Sequence, residues 1–119
     1  MRTGKLLAGV LALAAVVSIT VSAGAADDEV LQNYAIYCAK CHGPGGHGDG
    51  PNASTLSTKP RDFSDCGTML KISDRTIFQA IKGGGAAVSL PNDMPPWGQA
   101  FEDSEIKQLA AYVRSFCDR

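Results

Sequence analysis

Two cysteines and a histidine form the stretch of this sequence with the most evident chemistry. Cys38, Cys41 and His42 stand in the segment CAKCH, with two residues between the cysteines and the histidine directly after the second. Thiols and an imidazole at this spacing serve three known chemistries: a redox dithiol, part of a zinc site, or the covalent attachment of a haem.

Haem attachment accounts best for this motif. Two thiols one helical turn apart can each add to one vinyl group of a haem, and the histidine that follows can then ligate the iron. A thioredoxin-like dithiol needs a strand-to-helix setting, which this part of the chain lacks. A zinc site would recruit Cys66 and Cys117, and neither stands in a second close pair. Both alternatives, and a chance occurrence of the motif, stay open at this point.

A six-coordinate iron needs a second ligand from the opposite face of the haem. His47 follows His42 too closely to reach that face, so we interpret it as a solvated loop histidine. Met69 stands just before a predicted helix, where its side chain is expected to fill the core. Met94 stands in NDMPPWG, where the prolines stiffen the loop and hold the thioether at little ordering cost. We therefore predict His42 and Met94 as the iron ligands.

The elements that must position these residues are helices. Residues 27–42, 73–83 and 102–117 carry apolar side chains at steps of three and four, which is typical of amphipathic helices. No stretch alternates as a strand does, so we predict an all-α fold with two long loops. Loops of that length in a small domain are expected to wrap something, which again favours a buried cofactor.

Polar side chains mark where two of the helices begin. Ser73 or Asp74 can cap the second predicted helix, and the glycine run at 83–85 ends it. Asp103 or Ser104 can cap the last one.

The N-terminus has the three parts of a secretory signal. Arg2 and Lys5 precede a long apolar run, and small residues ending in GAA follow it. We expect 1–26 to be a cleaved signal peptide and 27–119 to be the mature domain in the periplasm. The apolar run is long enough that an uncleaved membrane anchor is the alternative.

Size and charge limit the classes of partner. The chain has 119 residues and a formal charge of −1, and removal of Arg2 and Lys5 with the leader takes that charge to −3. An acidic balance argues against nucleic acid or an anionic membrane surface as the partner. A domain this short is marginally stable without a staple, such as a disulfide, a metal or a large cofactor.

The motifs and the helix pattern together resemble the class I monohaem cytochrome c family. The similarity covers 30–116. It includes CAKCHG for the haem motif, GDGP for the loop on the histidine side, MPPWG for the axial methionine loop and LAAYVRSF for the C-terminal helix. The resemblance implies that 27–119 form a cytochrome c domain, a small helical domain wrapped around one haem that is bound covalently through Cys38 and Cys41.

The resemblance also implies roles for three further residues. Pro51, at the end of GDGP, would accept a hydrogen bond from His42 through its carbonyl and so orient the imidazole. The segment KPRDF is similar to small bacterial members, and its Arg61 would pair with a haem propionate. Trp97 would hydrogen-bond the same group or shield the ring. A solvated arginine and a packed aromatic ring are the plain alternatives for the last two residues.

Cys66 and Cys117 remain as a spare pair outside the haem motif. In an exported chain an even spare pair predicts a disulfide, which would tie the middle loop to the end of the last helix. Two separate buried thiols, or a bridge to a partner chain, are the alternatives.

These features favour a periplasmic carrier of single electrons with a His/Met-ligated haem, and not an enzyme in its own right. Its partners would be a redox donor and a redox acceptor that dock near Cys38 and Cys41. We expect no nucleic acid, membrane contact only if the leader is retained, and a monomer. A haem subunit of a larger periplasmic oxidoreductase and a haem-based redox or gas sensor are the alternatives.

Overall fold

The computed structural model describes Gly4 and residues 23–117 of the chain. The predicted leader therefore lies outside the described residues, apart from Gly4 and 23–26. Every regular element in the described part is helical, which confirms the predicted all-α class. None of the helices in that part is both long and apolar enough to cross a bilayer.

The first helix carries the Cys-x-x-Cys-His motif and is not uniform. It runs as α1 (Ala23–Asn33), then a π-helical turn (Tyr34–Cys38), then α2 (Ala39–His42). The sequence predicts the helix but not the wider π turn, since both helix types place apolar residues at similar steps. Single π turns within α-helices occur frequently at functional sites, and this one ends on the first cysteine of the motif.

The middle of the chain is irregular, with one 3-10 turn (Ala53–Thr55) and one short helix, α3 (Cys66–Met69). The Asp65 carboxylate caps α3 by accepting a hydrogen bond of 3.2 Å from the Thr68 N–H. A four-residue helix is too short to leave a periodic signal in the sequence, so its existence had to come from the structure.

The second predicted helix is α4 (Asp74–Gly83), and it begins where the sequence indicates. Ser73 is its N-cap, with the hydroxyl oxygen accepting from the Thr76 N–H at 3.1 Å. The helix ends in the glycine run, and a 3-10 turn (Gly85–Val88) follows.

The last helix, α5 (Asp103–Ser115), starts on a different cap from the one expected. Its N-cap is Glu102, and the prediction of Asp103 or Ser104 is wrong. The Glu105 carboxylate accepts from the Glu102 N–H at 2.7 Å, as in a capping box. A capping box needs an acidic side chain three residues after the N-cap, and Glu105 stands at that position relative to Glu102.

The core forms where α5 packs against α1 and α4. At the crossing with the first helix, the buried Tyr34 ring packs on Tyr112 and Phe116, with ring centroids 5.0 and 5.4 Å apart. The other buried apolar side chains come from every part of the domain: Phe63, Met69, Ile77, Ile81, Phe101, Ile106, Leu109, Ala110 and Val113. Cys38 packs against the edge of this core, and both Cys38 and Cys41 line a cavity beside it.

Candidate haem site

The end of the first helix holds the thiols and the imidazole in place. Cys38 and Cys41 are both half-buried and unbridged, one helical turn apart. The helix stops at Gly43, whose carbonyl accepts a hydrogen bond of 2.8 Å from the hydroxyl of the buried Tyr34. The position of the motif is thus fixed by the packing between the first and last helices.

The loop after the motif folds back along the end of the helix. The amides of Gly48, Gly50 and Asn52 donate to the carbonyls of His42, Cys41 and Lys40 at 2.8–3.0 Å. Carbonyls in the last turn of a helix have no partner within it, and here the returning loop supplies one. The glycine-rich sequence after the motif is therefore a cap for the helix that carries it.

A tight approach at Gly48 brings a second segment beside His42. A Cβ on Gly48 would lie 2.4 Å from the Pro60 carbonyl oxygen, and its φ of +71° also favours glycine. Phe63 is held to the same loop, since its N–H donates to the Gly46 carbonyl at 2.7 Å. We call residues 57–63 the histidine-side segment.

His42 takes both of its orienting contacts from the histidine-side segment. Its Nδ1 lies 3.2 Å from the Arg61 carbonyl oxygen, and its ring stacks on Phe63 with centroids 4.3 Å apart. A carbonyl can only accept, so Nδ1 carries the proton and Nε2 keeps the lone pair that a metal needs. Burial lowers the pKa of His42, against a smaller opposite effect of the Arg61 hydrogen bond. The imidazole is therefore held in its neutral form, which can act as a ligand.

The expectation for Pro51 is wrong. The acceptor is the Arg61 carbonyl, and Pro51 is an exposed turn residue that does not line the cavity. The reason is the path of the loop: the Gly50 and Asn52 amides bind the Cys41 and Lys40 carbonyls, which draws Pro51 back along the helix end.

A cavity of about 520 Å³ lies beside the motif. This volume is within the range of roughly 300–1,000 Å³ that is usual for sites of small ligands and cofactors. Six residues that the sequence singles out line this one cavity: Cys38, Cys41, His42, Arg61, Met94 and Trp97. The structure thus brings thiols, imidazole and thioether together, and the donor set fits a covalently bound haem.

Met94 reaches this cavity on residues 89–98, which we call the methionine loop. The Met94 carbonyl accepts from the Gly85 N–H at 3.0 Å, and the Trp97 N–H donates to the Ile81 carbonyl at 3.0 Å. Gly84 lies so close that a Cβ there would be 2.7 Å from the Met94 carbonyl oxygen. The glycine run after α4 therefore ends that helix and also seats the methionine loop.

The remaining candidates for the sixth ligand lie elsewhere. Met69 is 1% exposed and fills the core, as expected. His47 does not line the cavity, and its Nδ1 lies 2.9 Å from the Ser64 hydroxyl and 3.6 Å from the Asp62 carboxylate. The side chains of Met69 and His47 therefore make their contacts outside the cavity.

Arg61 and Trp97 differ in how firmly they are held. The Arg61 side chain is exposed where it borders the cavity. Trp97 is half-buried, and its ring packs on Tyr37 and Phe101 with centroids 5.4 and 6.2 Å apart.

The zinc and dithiol alternatives for CAKCH find no support in the described residues. Cys66 and Cys117 pair with each other, with Cα atoms 5.3 Å apart, and so are not available to Cys38 and Cys41. Within residues 23–117 no three His, Cys, Asp or Glu side chains cluster as metal ligands would. Burial, and then the neighbouring Cys41, raise the pKa of Cys38 to about 11. A thiol with so high a pKa is a poor redox nucleophile and a poor metal ligand.

Two features of the site carry no clear signal in the sequence. Phe63 stacks on His42, and the Asp93 carboxylate binds Ser57 and Thr58 across the cavity. Phe63 could have been suspected as a large apolar residue in an otherwise polar loop. Asp93 could not, because one exposed-looking acid in a loop resembles any other.

Comparison with known proteins agrees with this geometry. The sequence model of the family described as cytochrome c oxidase, cbb3-type, subunit III matches residues 25–113. A cbb3-type cytochrome c oxidase subunit FixP from Rhizobium etli is 34% identical over 80 residues, which are 67% of this chain and 26% of that protein. The chain therefore spans about a quarter of the length of that relative.

A solved structure extends the similarity to the fold. The KustC0563 c-type cytochrome superposes with a TM-score of 0.60 at 29% identity, over 72% of this chain and 94% of its own. The predicted cytochrome c fold and the predicted family are thereby confirmed. The chain belongs to the c-type cytochrome family described as cytochrome c oxidase, cbb3-type, subunit III, and it is an electron-transfer protein whose family implies a covalently bound haem.

Proposed function

We propose that this protein carries single electrons on one haem, bound through thioether bonds to Cys38 and Cys41 and ligated by His42 and Met94. The observation that carries the proposal is that these four side chains line a single cavity of suitable volume. A haem held this way supplies one-electron chemistry, and histidine with methionine raises its reduction potential.

The chain's own groups prepare the two ligand positions. The Arg61 carbonyl holds the proton on Nδ1 of His42 and leaves Nε2 free to ligate. With both His42 and Met94 as ligands, the iron would have no open position for a substrate, which suits a carrier. The protein would then only bind the haem, orient it and exclude water from it.

We further propose that Arg61 binds a haem carboxylate and that Trp97 shields the ring. The Arg61 guanidinium is exposed at the cavity and offers a fixed fork of donors to a carboxylate. Trp97 is wedged against Tyr37 and Phe101, which suits a shielding role more than a polar one.

Electron exchange would take place where the cavity meets solvent near the cysteines. Leu90 and Tyr37 border the cavity and are 50% and 40% exposed. Apolar side chains at the edge of a redox centre suit the small, short-lived interfaces of electron-transfer partners.

The absorption spectrum of the purified holoprotein tests the proposal directly. Sharp bands in the reduced state would show the haem, and a weak far-red charge-transfer band in the oxidised state would show a sulfur ligand. Met94→Ala should abolish the far-red band, while Met69→Leu should keep it. A protein whose mass equals that of the bare polypeptide would refute covalent attachment.

A haem subunit of a larger oxidoreductase complex is the second candidate function. It is supported by the match to a family described as an oxidase subunit and by the relative named as one. In that case the haem would pass electrons within an assembly. Blue-native electrophoresis of detergent-solubilised membranes and of the soluble fraction separates the two: a free carrier migrates at its own mass, and a subunit with the complex.

Export to the periplasm belongs to the same proposal. The predicted leader at 1–26 and the pairing of Cys66 with Cys117 both suit an oxidising compartment. Mass spectrometry of the native protein would distinguish cleavage of the leader from its retention as an anchor.

A further inference from the structure

Asp93 links the two walls of the cavity. Its carboxylate accepts hydrogen bonds from the Ser57 hydroxyl and, at 3.1 Å, from the Thr58 N–H. Asp93 and Thr58 both line the cavity, although 35 residues separate them in the chain. Hydrogen bonds to an ionised carboxylate are stronger than those between neutral groups, so this link is well suited to hold a loop.

The position of Asp93 in the chain shows which two segments its hydrogen bonds connect. It directly precedes Met94 in the methionine loop, and Ser57 and Thr58 begin the histidine-side segment. Three residues after Thr58, the Arg61 carbonyl orients His42. The carboxylate therefore connects the loop that carries one predicted ligand to the segment that orients the other.

The other bonds that seat the methionine loop come from one side. The Met94 carbonyl, the Trp97 amide and the Gly98 amide bind Gly85, Ile81 and Lys82. Ile81 and Lys82 lie in the last turn of α4, and Gly85 begins the 3-10 turn that follows it. Asp93 adds an anchor on the opposite side of the cavity. A loop held at both sides has fewer alternative conformations than a loop held at one, so its ligand stays in place more of the time.

We infer that Asp93 is a positioning residue that latches the methionine loop to the histidine-side segment and so keeps Met94 on the iron. The inference rests on the proposed ligation by Met94. Opening of the latch would allow the methionine to leave the iron and an external ligand to take its position. The apparent affinity for such a ligand scales with the population of the open state.

Cyanide binding to the oxidised holoprotein measures that open population. In Asp93→Ala, cyanide should bind about tenfold more tightly than in the wild type, the change expected if about 1.4 kcal/mol of latch free energy is lost. The far-red band should weaken in parallel. Asp93→Asn keeps an oxygen that can accept from the Thr58 N–H. The cyanide affinity of this variant should therefore lie between those of the wild type and Asp93→Ala.

Matched variants separate the latch from a general loss of stability. Asn92→Ala and Ser54→Ala alter exposed neighbours of the two bonded groups and should leave cyanide affinity unchanged. Ser57→Ala removes one of the two bonds and should raise the affinity by a few-fold. If Asp93 had a purely structural role, its substitution would lower the melting temperature. Cyanide affinity measured at temperatures well below the melting temperature would then stay unchanged.

The outcomes are distinguishable. If the wild type shows the far-red band but Asp93→Ala and Ser57→Ala bind cyanide as the wild type does, the latch is overturned and ligation by Met94 stands. If Asp93→Ala does not fold, Ser57→Ala and Asp93→Asn decide the question in the same assay. If the wild type lacks the far-red band, ligation by Met94 fails, and the latch fails with it.

Discussion

The imidazole of His42 lies face to face with the ring of Phe63, with centroids 4.3 Å apart and planes 18° from parallel. Two residues before Phe63, the Arg61 carbonyl accepts the imidazole's hydrogen bond. One short segment therefore sets both the tautomer and the rotation of the predicted iron ligand. Phe63 also packs on Phe116, with centroids 5.9 Å apart, so this orientation is tied to the end of the last helix.

Loss of the Phe63 ring should affect both stability and the iron ligand. Phe63→Ala removes a core side chain that is 8% exposed, and such truncations cost about 3–5 kcal/mol of unfolding free energy. Because the imidazole loses its stacking partner, the spread of haem methyl shifts in the proton NMR spectrum of the oxidised holoprotein should also change.

Phe78 offers a control for this experiment. It packs against the core but borders a groove between α4 and α5 and does not line the cavity. Phe78→Ala should lower stability and leave the haem methyl shifts as they are. Unchanged shifts in Phe63→Ala would contradict the role of the stack.

The Tyr34 hydroxyl should contribute to the stability of the helix that carries Cys38, Cys41 and His42. It donates to the Gly43 carbonyl at 2.8 Å in a buried setting. Tyr34→Phe removes this hydrogen bond, while the Gly43 carbonyl still accepts from the Gly46 N–H at 3.1 Å. The free energy of unfolding in guanidinium should therefore fall by about 0.5–1.5 kcal/mol, the net value of one hydrogen bond.

Tyr37 is the matched control, since it stands one turn along and is 40% exposed. Tyr37→Phe should change the free energy of unfolding by less than about 0.5 kcal/mol, as most surface substitutions do. Equal effects of the two substitutions would show that the buried hydrogen bond contributes nothing measurable.

The bridge between Cys66 and Cys117 should stabilise the domain. The two residues are 51 apart in the chain, and a loop of that length corresponds to about 4 kcal/mol in the chain-entropy model of disulfides. The double variant Cys66→Ser with Cys117→Ser should therefore unfold at a markedly lower guanidinium concentration.

A thiol count on the unfolded wild-type holoprotein checks that the bridge exists. With Cys38 and Cys41 bound to haem, the protein should show no reactive thiol before reduction and two after it. Two thiols without reduction would exclude the bridge and remove the reason for the predicted loss of stability.

A charge at the cavity edge should slow electron exchange between molecules. Leu90 is half-exposed and borders the cavity. Leu90→Glu places like charges opposite each other when two copies meet at this edge, so self-exchange at low salt should slow by about tenfold. NMR line broadening in mixtures of oxidised and reduced protein measures the rate.

Leu70→Glu is the control for a surface charge as such. Leu70 is 73% exposed and does not line the cavity, so its substitution should leave the exchange rate near that of the wild type. Equal slowing by both substitutions would show that net charge, and not the cavity edge, controls the encounter.

The sequence was sufficient for those features that depend on residue type and local spacing. Cys38, Cys41 and His42 predict a haem site because three attachment points on one rigid cofactor would require a short, fixed spacing. Ser73 marks the start of α4 because a side-chain cap must stand directly before its helix. Met69 is predicted as a core residue because an apolar side chain beside an amphipathic helix is normally buried, and it is buried in the structure.

Only the tertiary structure could decide which distant groups meet. The acceptor for His42 is the Arg61 carbonyl and not that of Pro51, and every residue offers the same backbone carbonyl, so no residue type marks it. Asp93 meets Ser57 and Thr58 across 35 or more residues of chain, and nothing local selects that partner. Spacing along the chain determines local geometry, whereas contacts between loops depend on the path that packing imposes on each of them.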